Sequence, residues 1–219
     1  MLKPQAQQLQ VMGTMCLVAG LLGAASGILL LAVTPAVPET RYSYPFEAGA
    51  FIAIQLWFVV QHLGLMTGQW GLRISGVAGT GPLVRGAHWV GLVGMALLAV
   101  TELLAIAAAR DPYPSTLTNI LDVFYGVSVV GVGVGVTAVG VGVIRQRQWL
   151  SWHRWVPLAI GVWVFIPMTP AIAAGYVPAR LSITLWMVLY AALGWILLTT
   201  SRTAPEDAPT PAVSAPHTS

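Results

Sequence analysis

Charged side chains are scarce in this sequence. They make up 8% of its 219 residues, whereas an ordinary soluble domain carries about 25%. Cysteine is scarcer still, because Cys16 is alone and so excludes an intramolecular disulfide framework. The ten basic residues are scattered singly rather than clustered, which argues against a nucleic-acid partner. These absences leave a chain that is mostly apolar, with little surface suited to water.

Six long apolar stretches occupy most of the chain. Each has roughly 20 residues or more, and a helix that rises about 1.5 Å per residue then crosses a hydrocarbon layer of about 30 Å. Backbone amides in lipid must bond internally, so these stretches are expected to be helices. The sequence therefore predicts an all-α polytopic membrane protein, with six transmembrane helices in one bundle. The predicted spans are 11–33, 47–69, 86–109, 119–144, 155–176 and 181–200.

The basic residues predict how the bundle is oriented. Seven fall on one side of the membrane and three on the other, and loops rich in Lys and Arg stay in the cytoplasm. We therefore expect a multi-pass protein of the cell membrane with a cytoplasmic N-terminus (1–10), a transmembrane domain (11–201) and a disordered cytoplasmic tail (202–219). The seven are Lys3, Arg73, Arg85, Arg145, Arg147, Arg154 and Arg202, and the three are Arg41, Arg110 and Arg180.

Three tryptophans gather where the chain enters the fifth span. Trp149, Trp152 and Trp155 are interleaved with His153 and Arg154. This pattern is typical of an interfacial aromatic belt beside cytoplasmic positive charges. An anionic-lipid headgroup site is the alternative. Membrane lipids are the partners that the sequence predicts, and no cofactor is expected.

Ionisable residues inside a span are costly, so they are expected to face the protein interior or a wet cavity. Glu47 and Asp122 begin helices, where a carboxylate complements the helix dipole. Glu102 lies within the third span and has no such explanation. Glu102 and Asp122 are therefore the predicted catalytic residues, with Glu102 first. With Glu47 they fall in the outer half of three consecutive helices, where one outward-facing pocket would bring them together.

A polar stripe follows the second span. Gln55, His62 and Gln69 are seven residues apart, which keeps them near one face of a helix, and His88 and Glu102 share a face of the third span. If the faces meet, the seam either relays protons, lines a substrate cavity or fixes packing, each bond contributing about 0.6–2 kcal/mol. One histidine at each depth predicts no metal site. The predicted substrate-binding residues are Glu47, Gln55, His62, His88, Trp57, Trp163, Trp186 and Tyr190.

Small residues and prolines predict how the last helices pack. Glycines at four-residue spacing in the fourth span allow close backbone approach, so this helix is expected at the centre of the bundle, with Asp122 turned inward. Pro167 and Pro170 predict a kink or a break in the outer half of the fifth span.

Several short motifs carry a resemblance. Tyr44-Pro45-Phe46, Gln55-Leu56-Trp57-Phe58 and Thr101-Glu102-Leu103 resemble six-span integral membrane proteins of high-GC bacteria, a class that implies no activity. In size, membrane-embedded carboxylates and its nine tryptophans, the chain is also similar to small integral-membrane terpene cyclases. That family implies an acid that protonates an alkene or epoxide, although it usually has seven spans and its acidic motifs do not match residue by residue.

Three functions follow as hypotheses. The leading one is an integral membrane protein that binds a lipid, a small apolar ligand or a membrane partner. The alternative is an intramembrane acid–base enzyme, a cyclase or isomerase acting on an isoprenoid or lipid with Glu102 or Asp122 as general acid. The second alternative is a small proton-coupled transporter that uses the polar seam.

Overall fold

The computed structural model consists of helices, and the residues it describes, 4–149 and 151–200, contain no strand. Six helical segments are long and apolar enough to cross a membrane. The prediction of an all-α six-helix membrane protein is therefore confirmed. Lys3, Arg202 and the predicted tail over 202–219 lie outside the described residues.

The helices differ from the predicted spans mainly at their ends. A 3₁₀ turn over Ile106–Ala108 extends the third span, another over Ser151–Trp155 precedes the fifth, and a π-helical turn over Val164–Met168 lies inside the fifth. The helices are α1 (Pro4–Leu31), α2 (Ala48–Ile74), α3 (Pro82–Ala105), α4 (Thr116–Gln146), α5 (Val156–Trp163), α6 (Thr169–Ala173) and α7 (Tyr176–Thr200).

The ends of α4 have local causes. At its start Ser115 Oγ accepts from the Thr118 backbone N–H at 3.3 Å, and Thr118 Oγ1 accepts from the Ser115 N–H at 2.8 Å. This reciprocal pair satisfies amides that the first helical turn leaves free. At its end Arg147 adopts a left-handed conformation, with φ of 54°, which stops the helix.

The six spans form a closed ring in chain order. Each helix packs on the next, α5 packs on α7, and α7 returns to pack on α1. Most of the interior is one large apolar cluster, in which Leu65, Met95, Val132, Ile160 and Leu193 are fully buried. Apart from it lies a smaller apolar cluster of Phe51, Ala105, Ala108, Ala109 and Leu121. The outward faces carry large exposed apolar side chains, as lipid contact requires.

Glycines set the closest helix contacts. A Cβ atom built on Gly94 of α3 would lie 2.6 Å from the Val132 backbone nitrogen of α4. One built on Gly20 of α1 would lie 2.7 Å from the Met187 carbonyl oxygen of α7. Both distances are too short for any side chain, so the backbones themselves are in contact there. Helix α4 contacts α3 on one face and α5 on another, so its glycines do allow close approach. The prediction that α4 lies at the centre of the bundle is wrong, because α4 is one member of the ring and its outward face exposes Val123, Val127 and Val134.

The fifth span remains continuous past its prolines. Pro167 lies inside the π-helical turn Val164–Met168 that joins α5 to α6. Thr169 Oγ1 donates to the Val164 carbonyl oxygen at 2.7 Å and so satisfies an acceptor within that turn. The span therefore accommodates proline by changing its hydrogen-bonding pattern.

The two ends of the bundle differ in charge. At one end, which we call the acidic end, the loop before α2 pairs with the loop before α4. The Tyr42 N–H donates to the Asp111 carbonyl at 3.1 Å, and the Tyr113 N–H donates to the Thr40 carbonyl at 2.7 Å. The acidic end carries Glu39, Glu47, Asp111, Asp122, Arg41, Arg110 and Arg180. The opposite, arginine-rich end carries Arg73, Arg85, Arg145, Arg147 and Arg154, with no carboxylate among the described residues.

Candidate functional site

The most polar buried site lies between α2, α3 and α4, towards the acidic end. Glu102 of α3 is 6% exposed, and the Tyr125 hydroxyl of α4 donates to its Oε2 at 2.6 Å. Gln55 Nε2 of α2 donates to the Tyr125 oxygen at 3.2 Å. His62 Nδ1, also on α2, lies 3.8 Å from Glu102 Oε1. We call these four residues the Glu102 cluster.

His62 is the unsatisfied member of the Glu102 cluster. Its Nδ1 is buried and has no hydrogen-bond partner among the described residues. A separation of 3.8 Å is too long for a hydrogen bond to Glu102 Oε1 but short enough for an ion pair if the imidazole is protonated. An approach of about 1 Å would allow direct proton transfer between the two groups. The site therefore has the composition of an acid–base pair.

Side chains at the acidic end surround the Glu102 cluster. Tyr42 is half-buried outside the spans, and burial, followed by the negative charges of Asp122 and Glu102, raises its pKa. On the side of α7, Arg180 lies 5.9 Å from the centroid of the Phe58 ring, and its charge acts on the Glu102 carboxyl. Tyr42 and Arg180 are therefore both close enough to interact electrostatically with Glu102.

A second polar group lies towards the arginine-rich end. Gln69 Nε2 donates to the Tyr190 hydroxyl oxygen at 2.7 Å, while Gln69 Oε1 is buried without a partner among the described residues. Gln69 and His88 line a cavity of about 10 Å³. That volume is close to the minimum for one water molecule. The predicted faces of α2 and α3 therefore do meet.

Apolar packing separates the two polar groups. Gln69 follows His62 by seven residues, which is about 10 Å along a helix. Leu65 of α2 and Met95 and Leu98 of α3 lie within this interval and are buried in the main core. The seam is consequently two separate polar clusters, with no continuous polar path between them through these side chains.

The three predicted carboxylates occupy different environments. Glu102 is buried, whereas Glu47 is exposed at the start of α2. Asp122 is also exposed, in the second turn of α4, and accepts from the Tyr113 hydroxyl at 3.0 Å. The expectation that Asp122 turns inward is wrong, because the π-helical turn Val164–Met168 covers α4 at Gly133, whereas nothing lies within 4 Å of a Cβ atom built on Gly126. One pocket does not contain all three acids.

The predicted substrate-binding tryptophans form interhelical bonds. Each indole N–H donates to another helix: Trp57 to Ser26 Oγ at 2.9 Å, Trp163 to the Ser182 carbonyl at 3.0 Å and Trp186 to the Ile160 carbonyl at 3.0 Å. Trp186 also packs edge-on against Tyr190, with ring centroids 5.0 Å apart. These four aromatic residues connect helices and do not surround Glu102 together.

Tyr125 is the member of the Glu102 cluster that the sequence did not identify. A signal for it exists, since Ser128, Val132 and Gly135 mark the face of α4 that meets α3. Extending that face by one turn towards the acidic end reaches Tyr125.

The side chains present offer no obvious metal centre. No group of three His, Cys, Asp or Glu side chains in the described part of the chain is placed to hold a metal ion. Comparison with family models, with curated proteins and with solved structures finds no match to this chain. The resemblances drawn from its sequence motifs therefore remain predictions.

Proposed function

We propose that this integral membrane protein binds a lipid, a small apolar ligand or another membrane protein without chemical turnover, and that its buried polar side chains hold α2, α3 and α4 together. The main support is that the Glu102 carboxylate accepts a hydrogen bond from a neighbouring helix. Tyr125 donates to it at 2.6 Å, and Gln55 holds Tyr125 in turn. An acid engaged in this way resembles the hydrogen bonds that fix packing between membrane helices.

The aromatic side chains support the same proposal. An acid-catalysed cyclase needs its acid at an open pocket whose walls present ring faces to a cation. Here the Trp57, Trp163 and Trp186 indoles are engaged with neighbouring helices. The second predicted acid, Asp122, is exposed beside Tyr113.

The first experiment separates packing from catalysis. Cells supplied with isoprenoid precursors would carry an empty vector, the wild type or Glu102→Gln/Asp122→Asn at matched membrane expression, and organic extracts would be compared by mass spectrometry. We expect no compound specific to the wild type, and a lower unfolding temperature for the double variant in detergent. Asp122→Asn alone is the control and should unfold as the wild type does, because Asp122 is exposed.

Two results would contradict the proposal. A compound formed only by the wild type, and lost in a double variant that still folds, would establish an acid–base enzyme instead. Wild-type protein that retains no lipid, ligand or protein partner after extraction in mild detergent would contradict the binding role. Mass spectrometry of the intact purified protein measures that retention.

Proton-coupled transport is the second candidate. It is favoured by His62 Nδ1, which is buried 3.8 Å from Glu102 Oε1 and has no hydrogen-bond partner within residues 4–149 and 151–200. This function requires pH-dependent flux in proteoliposomes that His62→Ala abolishes and that His153→Ala, at the arginine-rich end of the bundle, preserves. The apolar residues between the two polar clusters disfavour it, because a proton path needs polar groups or water throughout. Equal flux in protein-free vesicles would exclude it.

A further inference from the structure

Arg73 is held between two tryptophans at the arginine-rich end. Its guanidinium carbon lies 4.7 Å from the centroid of the Trp70 ring and 4.5 Å from that of the Trp89 ring. The two rings themselves are 6.0 Å apart and meet edge to face. Cation–π contacts of this length fix the guanidinium in place while leaving its N–H groups free for an anion.

Arg73 has no carboxylate partner among the residues that the structure describes. Arg73 forms no ion pair within residues 4–149 and 151–200, where the recorded pair is His62 with Glu102 near the other end. All the carboxylates of those residues lie at or near the acidic end. Five arginines therefore share the arginine-rich end without a described counterion, and a negatively charged partner would complement them.

The surface next to Arg73 is graded in polarity along α3. Arg85, Trp89 and Val93 are four residues apart, which places them on one face of the helix, and all three are exposed. The face thus presents a charge in the first turn, an indole one turn deeper and an aliphatic side chain one turn deeper again. A phospholipid has the same order of headgroup, interfacial region and acyl chain.

We propose that Arg73, clamped by Trp70 and Trp89, binds the phosphate of an anionic phospholipid whose acyl chain lies along Trp89 and Val93. Arg85 adds a second positive charge beside the same headgroup. The inference rests on the proposed binding function, names the ligand class and assigns it a site. The headgroups of an anionic leaflet supply the negative charge that the described part of this end lacks.

The test measures lipid retention by native mass spectrometry of the full chain in mild detergent. Wild type and variants would be titrated with phosphatidylglycerol, and separately with phosphatidylcholine of the same acyl chains. Arg73→Gln should weaken phosphatidylglycerol binding roughly tenfold, which corresponds to loss of about one charged hydrogen-bonding interaction. Phosphatidylcholine binding should change much less. Arg145→Gln is the matched control, since Arg145 is exposed at the same end and its replacement removes the same charge.

Further variants protect the test from a folding artefact. Arg73→Lys should bind between wild type and Arg73→Gln, because lysine keeps the charge but not the planar fork. Trp89→Leu should also weaken phosphatidylglycerol binding, although it leaves every charge in place. Unfolding temperatures within a few degrees of the wild type show that each variant is folded.

Each remaining outcome is decisive. Equal losses for Arg73→Gln and Arg145→Gln would mean general charge attraction and overturn the site. Another outcome is that Arg73→Gln weakens phosphatidylglycerol binding only when the acidic residues Glu206 and Asp207 are replaced as well. That result would mean that the chain's own tail occupies Arg73 in the wild type, and it would overturn the lipid site. Lipid retention that Arg73→Gln leaves intact would overturn the site but keep the binding function. Wild type that retains neither lipid would contradict the lipid site, while retention of another ligand or partner would still support the general function.

Discussion

The glycine contacts between α3 and α4 and the polar contacts of the Glu102 cluster hold neighbouring helices by opposite means. Between α3 and α4 the backbones touch, because a Cβ atom on Gly94 would lie 2.6 Å from the Val132 nitrogen and 2.8 Å from the Ser128 oxygen. Between α2 and α3 the contact includes the polar pair of His62 with Glu102. The glycine contacts depend on the absence of side chains, whereas the Glu102 cluster, which also joins α3 to α4 through Tyr125, uses side chains that are costly to bury.

The glycine contacts and the polar contacts should tolerate different substitutions. A glycine contact has no spare volume, so any added atom must move a backbone. A polar contact has freedom in its side chains, so a substitution that preserves an acceptor or a donor preserves most of the bond. Small additions should therefore damage α3–α4 severely, and conservative exchanges at the Glu102 cluster should be mild.

The largest expected effect comes from Gly135→Ala. The new Cβ would meet the Gly91 backbone of α3 and lie 2.7 Å from the Ala87 carbonyl oxygen. We expect a loss of about 1–3 kcal/mol in the free energy of unfolding, as overpacked sites show. Denaturation of the purified protein in mixed micelles measures it. Gly126→Ala is the control on the same helix, because nothing lies within 4 Å of its Cβ position.

Gly126→Ala should change the free energy of unfolding in the opposite direction to Gly135→Ala. Alanine stabilises a helix interior by about 0.5–1 kcal/mol relative to glycine where space is open. Gly126→Ala should therefore stabilise the protein, whereas Gly135→Ala destabilises it. Equal effects of the two substitutions would mean that helix propensity outweighs packing at Gly135, and the backbone contact between α3 and α4 would lose its importance.

The fold was largely predictable because length and apolarity dominate inside a membrane. The helix ends were less so, since α1 begins at Pro4 and runs through four glutamines that an apolar window does not include. Likewise, α2 continues through Trp70 to Ile74, beyond the predicted end. Polar turns at an interface remain helical because their amides are satisfied internally whether or not lipid surrounds them.

A smaller effect is expected at the Glu102 cluster. Tyr125→Phe removes the donor to Glu102 Oε2 and the acceptor for Gln55. Hydrogen bonds between membrane helices contribute about 0.6–2 kcal/mol each, so Tyr125→Phe should cost less than Gly135→Ala. Glu102→Gln should cost less, since its amide oxygen still accepts from Tyr125. Thermal unfolding in detergent compares both with Tyr113→Phe, whose hydroxyl bonds the exposed Asp122.

The control should stay within about 0.5 kcal/mol of the wild type, as exposed sites usually do. If Tyr113→Phe destabilises as much as Tyr125→Phe, burial does not distinguish the two hydroxyls. If Glu102→Gln is worse than Tyr125→Phe, the negative charge of Glu102 matters more than the hydrogen bond. That result would favour the pair with His62 as the stabilising contact.

The site was only partly predictable because facing residues depend on helix register. Seven-residue spacing was enough to place Gln55, His62 and Gln69 on one buried face. The partner of Glu102 was not predictable in the same way, because Tyr125 meets it only once α3 and α4 are in register. Their glycine contacts set that register through atoms that no single-helix pattern contains.

The smallest expected effect lies outside the spans, at the loops of the acidic end. Tyr42 packs on Phe51 and Tyr113, with ring centroids 5.9 and 6.0 Å away. Burial and the charges of Asp122 and Glu102 raise the pKa of Tyr42, and burial with the Asp122 hydrogen bond raises the pKa of Tyr113. Both rings therefore hold their protons more tightly in the folded state.

A raised tyrosine pKa fixes the sign of the pH dependence. The stabilisation is complete below the unfolded pKa of about 10 and is lost as pH rises above it, because the folded state then binds more protons than the unfolded state. We expect the unfolding temperature of the wild type to fall above about pH 10, and the fall to be shallower in Tyr42→Phe, which cannot ionise. Thermal scans in detergent across this range measure both slopes. Identical slopes would show that Tyr42 is as free to ionise in the folded loops as in the unfolded chain, so the loop pair would not shield it.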